Sequence, residues 1–230
     1  MLEILYSSDE DNEFKKDDKE RSIKTSGIKM PSFLMKSKPA IVGIGGAGNN
    51  FLLHIEEKFG TEFDYIAIDT DKEALGVTNG CMKSCYTMQI GEELTKGLGC
   101  AAVPEIGMKA FEESQDKIEY CIAKYKKVCL VCGLGGGVGT GVCPSLFELI
   151  QKHDIEVSAY VTLPFKFEAR TRKANANSAK ERLLELSDNI FVYPNDLLLE
   201  KSNRETSLPE LLRKVSEDMI NDIYTWTYKK

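Results

Sequence analysis

Histidine and tryptophan are almost missing from this chain, which holds two of the first and one of the second in 230 residues. His54 and His153 each fall on an expected helix with no cysteine or second histidine at ligand spacing, so neither a zinc site nor a Ser–His pair has a basis. A long apolar run is missing as well. No stretch reaches the ~20 residues a bilayer span needs, and the first residues carry no apolar signal core, so direct membrane insertion is not expected. Nor is there an excess of basic residues. A net charge of −6 and a pI near 5.2 argue against nucleic acid as a partner, because phosphate backbones are held by clustered Lys and Arg. The seven cysteines lie in or beside core elements rather than in a loop framework, which points to free thiols and a cytoplasmic location. Cys129 and Cys132 spell C-x-x-C inside an expected strand, where residues three apart face opposite ways and cannot chelate one ion.

Glycine, by contrast, is concentrated. Gly43-Ile44-Gly45-Gly46-Ala47-Gly48-Asn49-Asn50 and Gly133-Leu134-Gly135-Gly136-Gly137-Val138-Gly139-Thr140-Gly141 each follow an apolar run and precede an amphipathic one. A strand that ends in a glycine turn and feeds a helix exposes backbone N–H groups at the helix's positive end, where an anion meets no side chains. Two such turns on one sheet edge can hold one polyphosphate. Either alone also reads as an ordinary tight turn or a close helix–strand contact.

Residues 1 to about 38 mix Asp9-Glu10-Asp11 and Lys15-Lys16-Asp17-Asp18-Lys19-Glu20-Arg21 with scattered apolar residues, too few to offset chain entropy. They read as a charged tail in which Met30 to Met35 could dock. From residue 39 strands and helices alternate. Strands are expected at Ala40–Ile44, Tyr65–Ile68, Tyr86–Gln89, Val128–Val131, Val157–Thr162 and Ile190–Tyr193. Helices are expected at Asn49–Phe59, Pro104–Ser114, Lys117–Tyr125, Thr140–Lys152, Arg170–Leu186 and Leu208 to about Trp226. The fold class is α/β: a parallel six-stranded, Rossmann-like sheet with helices on both faces and ligands at the carboxyl ends of its strands.

In Ala67 to Leu75, Leu94-Thr95-Lys96-Gly97-Leu98-Gly99, Pro104-Glu105-Ile106-Gly107, Pro164 to Glu168 and Pro194-Asn195-Asp196, together with both glycine turns, the chain resembles the GTPase domain of the FtsZ/tubulin family. The resemblance implies GTP or GDP as ligand with Mg²⁺, and FtsZ-family subunits or filament ends as partners, in cell division or cytoskeletal control. It implies that Gly45, Gly46, Ala47, Gly48 and Asn49 wrap the α- and β-phosphates, while Gly135, Gly136, Gly137, Val138, Gly139 and Thr140 close over the chain from the other side. Asp69, Asp71, Gly99 and Ala101 would border the γ-phosphate and its metal ion. Glu168 would accept from ribose hydroxyls, Arg172 would lie near the sugar and phosphates, and Asn195 and Ser216 would meet the guanine edge. Glu168 and Asn195 could instead simply cap helices.

Several residues depart from the family pattern. Ala101 and Val103 stand where the family has a glycine and an asparagine, making the loop beside the γ-phosphate stiffer and less polar. Val138 replaces a threonine, and Leu212 and Ser216 occupy the base-stacking and base-gripping positions, with Glu217 or Asp218 able to compensate. The family's Asn-x-Asp-x-x-Asp acidic loop, which orients the attacking water on a neighbour's nucleotide, does not occur before Lys230. No catalytic residue is therefore expected, nor autonomous hydrolysis, and Ile220, Ile223 and Trp226 are expected to be partly exposed unless another chain covers them. Two other readings stay open. Gly43-x-Gly45-x-x-Gly48 with Asp69 spells an NAD(P) fingerprint, and a degenerate scaffold would bind no nucleotide.

Overall fold

The computed structural model describes residues 36–197 and 208–228, with residues 208, 209, 211 and 212 described by backbone only. Six strands alternate with helices: β1 (Ala40–Ile44), α1 (Gly45–Phe59), β2 (Asp64–Asp69), α2 (Lys72–Cys81), β3 (Tyr86–Gln89), α3 (Glu92–Thr95), α4 (Pro104–Glu113), α5 (Gln115–Ile122), β4 (Lys127–Gly133), α6 (Gly137–Lys152), β5 (Glu156–Leu163), α7 (Arg170–Leu186), β6 (Ile190–Pro194) and α8 (Leu208–Tyr228). They form one sheet in the order β3-β2-β1-β4-β5-β6, with every pairing parallel. The chain reverses its direction of travel across the sheet between β1 and β4, so the crevice at their carboxyl ends is the topological switch point where open α/β sheets bind ligands.

The central strands are buried on both faces, as their unbroken apolar runs require. Ala40, Val42 and Ile44 of β1, with Val128, Leu130 and Cys132 of β4, enter a core beneath α4 to α7. Ile41, Cys129 and Val131 enter a second core beneath α1 and α8. Cys129 and Cys132 thus face opposite ways, and burial pushes the Cys129 thiol up to about 11, which keeps it an inert thiol.

The structure corrects the sequence reading at three places. At the boundary expected near residue 38, the Lys36 N–H donates to Lys124 O at 2.7 Å and Lys38 Nζ donates to Thr61 O at 2.7 Å. The expected tail and its apolar segments otherwise lie outside the described residues. Helices α1 and α6 begin at Gly45 and Gly137 rather than at Asn49 and Thr140, because the glycines themselves form the first helical turn. Two further helices appear. In α2, Asp71 caps the N-terminus by accepting from Glu73 N and Ala74 N, and the four-residue α3 lies between left-handed Gly91 and Lys96.

The last correction concerns α8. Ile220 and Ile223 are buried, not exposed. Val215, Met219 and Ile223 recur at helical spacing and, with Ile220, pack against the same sheet face as α1. Each such isoleucine contributes roughly 1.5–3 kcal/mol. Trp226 is partly buried, with Lys127 Nζ 4.7 Å above its ring. Tyr193 OH donates to Asp222 Oδ2 at 2.6 Å and Lys58 Nζ to Asn221 Oδ1 at 3.0 Å, fixing the helix to β6 and to α1.

Candidate functional site

Both glycine turns leave adjacent strands in register, with Ile44 opposite Cys132, about 4.8 Å apart. They touch. A Cβ built on Gly45 would lie 3.2 Å from Gly139 N and 3.3 Å from Val138 Cβ, and one on Gly133 would lie 2.7 Å from Ala47 Cβ. The glycines divide into two kinds. Gly48 and Gly139 allow their helices to approach the strand edge, since a Cβ there would strike the carbonyl oxygens of Val131 and Gly133 respectively. Gly46 and Gly136 face open space, with nothing within 4 Å of a built Cβ. Openings beside the backbone at both turns, at the positive ends of two long helices, suit an extended anion.

The second turn is held from within. Thr140 is buried and its Oγ1 accepts from the Gly135 N–H at 2.7 Å, so its hydroxyl fixes the turn's shape. Gly135 has φ +105°, and any side chain there would meet Arg172 Cγ at 2.7 Å. This brings Arg172, at the start of α7, directly over the turn. Val138 is buried against Gly45 and serves the packing of the two turns. Gly137 packs on the preceding loop, where its Cβ would meet Cys100 Cβ at 2.6 Å and Val103 N at 3.1 Å.

That loop, residues 97 to 103, closes the site beside Asp69 and Asp71. Leu98 bridges to Asp71, the Lys72 N–H donates to Gly97 O at 3.1 Å, and Thr70 Oγ1 and Cys100 Sγ are 3.1 Å apart. Lys96, Gly97, Gly99, Ala101 and Ala102 all have left-handed φ, at 53°, 79°, 81°, 47° and 60°. For the two alanines this is strained backbone. Leu98 is 85% exposed at the loop's rim.

Asp69 is buried at the end of β2. Its Oδ1 accepts from the N–H groups of Thr70 at 2.8 Å and Asp71 at 3.2 Å, and its Oδ2 accepts from Asn49 Nδ2 at 3.4 Å. Burial raises its pKa, against the lowering effect of those backbone donors. These bonds tie the Asp69 carboxylate to the start of the next loop and to α1.

On the other flank, Glu168 accepts from the Phe165 N–H at 2.8 Å and pairs with Arg172 Nε at 2.9 Å. It shapes the Pro164–Phe167 turn and orients Arg172 together. Asn195 follows β6, with its N–H on Leu163 O at 3.2 Å and its side chain buried. Two buried amide oxygens, Asn49 Oδ1 and Asn195 Oδ1, have no partner among the described residues. A buried acceptor left unpaired is costly and is satisfied by whatever donor reaches it.

These contacts bring together the two glycine turns, Asp69, Asp71, Gly99, Glu168 and Arg172, with Ala101 in the same loop as Gly99 and Cys100. The Ser216 Oγ is 2.9 Å from His54 Nδ1 of α1, beside a cleft of about 390 Å³ between α1 and α8. Sequence reasoning gave no role to His54, whose partner Ser216 lies 162 positions away and leaves no local signal.

The description "Tubulin/FtsZ family, GTPase domain" matches residues 39–203. An FtsZ dimer of M. jannaschii, solved empty, is 35% identical, with a TM-score of 0.73 over 84% of this chain and 55% of that one. CetZ2 of Haloferax volcanii, solved as a GTPγS-bound protofilament, is 22% identical with a TM-score of 0.70 over 81% and 57%. TubZ of Clostridium botulinum phage c-st, with its C-terminal tail truncated, is 17% identical with a TM-score of 0.64 over 81% and 60%. The last two speak to the fold alone. The chain spans little more than half the length of these solved relatives. Among the described residues no helix is long and apolar enough to cross a membrane.

Proposed function

This chain belongs to the tubulin/FtsZ family, within its GTPase domain, and from that premise we propose that it binds GTP and GDP in the crevice between β1 and β4. The observation that carries this reading is the pair of touching glycine turns, each open to solvent at one Cβ-free position, Gly46 and Gly136. The backbone N–H groups of both turns would hold the phosphates, Arg172 would add a positive charge, and Asn195 would offer its unpaired Oδ1 to the N–H groups of guanine. Mg²⁺ would accompany GTP near Asp69 and Asp71, neutralising charge on the outer phosphates.

Calorimetry with GTP, GDP, ATP and NAD⁺ tests the reading. Heat and a raised melting temperature with the guanine nucleotides support it. Their absence would favour a non-binding scaffold, and a response to NAD⁺ alone a dinucleotide enzyme.

We further propose that this unit turns over GTP slowly by itself, because Ala101 and Val103 leave the loop beside the outer phosphates stiff and apolar, and that it associates with FtsZ-type filaments, capping their ends. Phosphate release and light scattering, on the protein alone and mixed with a full-length FtsZ, test this. Filament shortening at substoichiometric amounts is expected, whereas steady turnover or growth by the unit alone would refute it.

A further inference from the structure

Behind the second glycine turn, whose Thr140 and Gly141 help to line it, a cavity of about 190 Å³ opens between α4, α6 and α7. Its apolar part is formed by Pro104, Met108, Pro144 and Ala179. The polar part is rich in acceptors. Pro144 lies within α6 and has no N–H, so the carbonyl of Thr140, four residues earlier and also lining the cavity, has no i+4 helical donor. Glu105 adds a carboxylate from the first turn of α4, and Asn175 and Ser178 add side-chain oxygens from α7. The one cation in the lining, Arg182, is occupied: its Nη2 and Nε donate to Glu148 Oε1 at 2.6 and 3.1 Å.

We propose that this cavity binds a small organic cation, a guanidinium or ammonium group on a short alkyl stem. The stem would lie along the prolines and Met108, and the head would donate to Glu105 and to the Thr140 carbonyl. Neutral ligands of the same shape bind less well, because the acceptors here include a carboxylate. The acceptors that would hold the cation are not the backbone N–H groups proposed for the phosphates, so its occupancy does not depend on the nucleotide reading.

Nucleotide-free, ¹⁵N-labelled protein titrated with n-butylguanidinium chloride, against sodium chloride and neutral n-butylurea at matched concentration, provides the test. Saturable shifts centred on the amides of Met108, Asn175 and Ser178 are expected for the cation and not for the controls. Glu105→Gln, at an exposed position, should weaken binding about tenfold or more through loss of a charge-assisted hydrogen bond. Pro144→Ala supplies the missing N–H to the Thr140 carbonyl and should weaken binding without any change in charge. Equal response to butylurea, shifts that merely track ionic strength, or wild-type affinity in both variants would overturn the proposal.

Discussion

Replacing Ala101 with glycine should raise the melting temperature of the nucleotide-free chain. Ala101 has φ +47° and Ala102 has φ +60°, and both are exposed, so removing the methyl group forfeits no core packing. A left-handed conformation costs a non-glycine residue roughly 1–2 kcal/mol, whereas glycine returns about 0.4–1 kcal/mol through the greater freedom of the unfolded chain. The balance is a gain of roughly 0.5–1 kcal/mol per site. At about 2–4 °C per kcal/mol for a domain of this size, each variant should melt roughly 1–4 °C higher. Thermal unfolding followed by circular dichroism is the assay, with Ala174→Gly as internal control. Ala174 is exposed within α7, where the same substitution should cost about 1 kcal/mol. If Ala101→Gly and Ala102→Gly both melted below wild type, as Ala174→Gly should, the strain reasoning would be wrong.

Gly136→Val should leave the melting temperature of the free chain nearly unchanged while abolishing nucleotide binding, since its Cβ would meet only open space; calorimetry and melting of one preparation separate the two. Gly48→Ala and Gly139→Ala should instead fail to fold or melt far lower, because each Cβ would strike a strand carbonyl. Asp69→Asn should be neutral or stabilising without nucleotide at pH 7, given that Asn49 can rotate its unpaired Oδ1 toward the new amide. Because burial raises the folded pKa of Asp69, its ionised form opposes folding at high pH, and that penalty vanishes as pH falls through the raised value. The advantage of the variant over wild type should therefore shrink on acidification, and an advantage that grew would contradict the burial argument. Asn195→Ala should lower guanine affinity more than adenine affinity in competition binding, whereas equal loss of both would make Asn195 a structural residue.

Much of this architecture was legible because the apolar runs of β1 and β4 end in glycine, which marks both the strand and its turn. The helix starts were less so. Gly45 and Gly137 open their helices despite the low propensity of glycine, since a Cβ on Gly45 would crowd Gly139 N and Val138 Cβ and one on Gly137 would meet Cys100 Cβ. In α2, Gly76 and Gly80 weaken the helical pattern, and the Asp71 cap compensates. The burial of Ile220 and Ile223 could not be read from their own spacing, which says only that α8 has an apolar face, not that the sheet meets it. Within the candidate site, residues that would touch the ligand through backbone were visible as glycines. Those that hold the loops in shape were not, since the Thr140 bond to Gly135 and the Thr70–Cys100 contact exist only once the chain is folded.

The pairing of Ile44 with Cys132 also governs when a binding site can come into being. Between the two turns the chain must make β2, α2, β3, α3, α4 and α5 before β4 returns to lie beside β1. Neither turn is a cradle by itself, so an emerging polypeptide has nothing for an anion to grip until that long-range pairing is complete. A ligand that spans both turns then acts as a clasp on a non-local contact, the kind whose closure limits folding rates. It would slow the separation of β1 from β4, and with it global unfolding, more than the fraying of either turn.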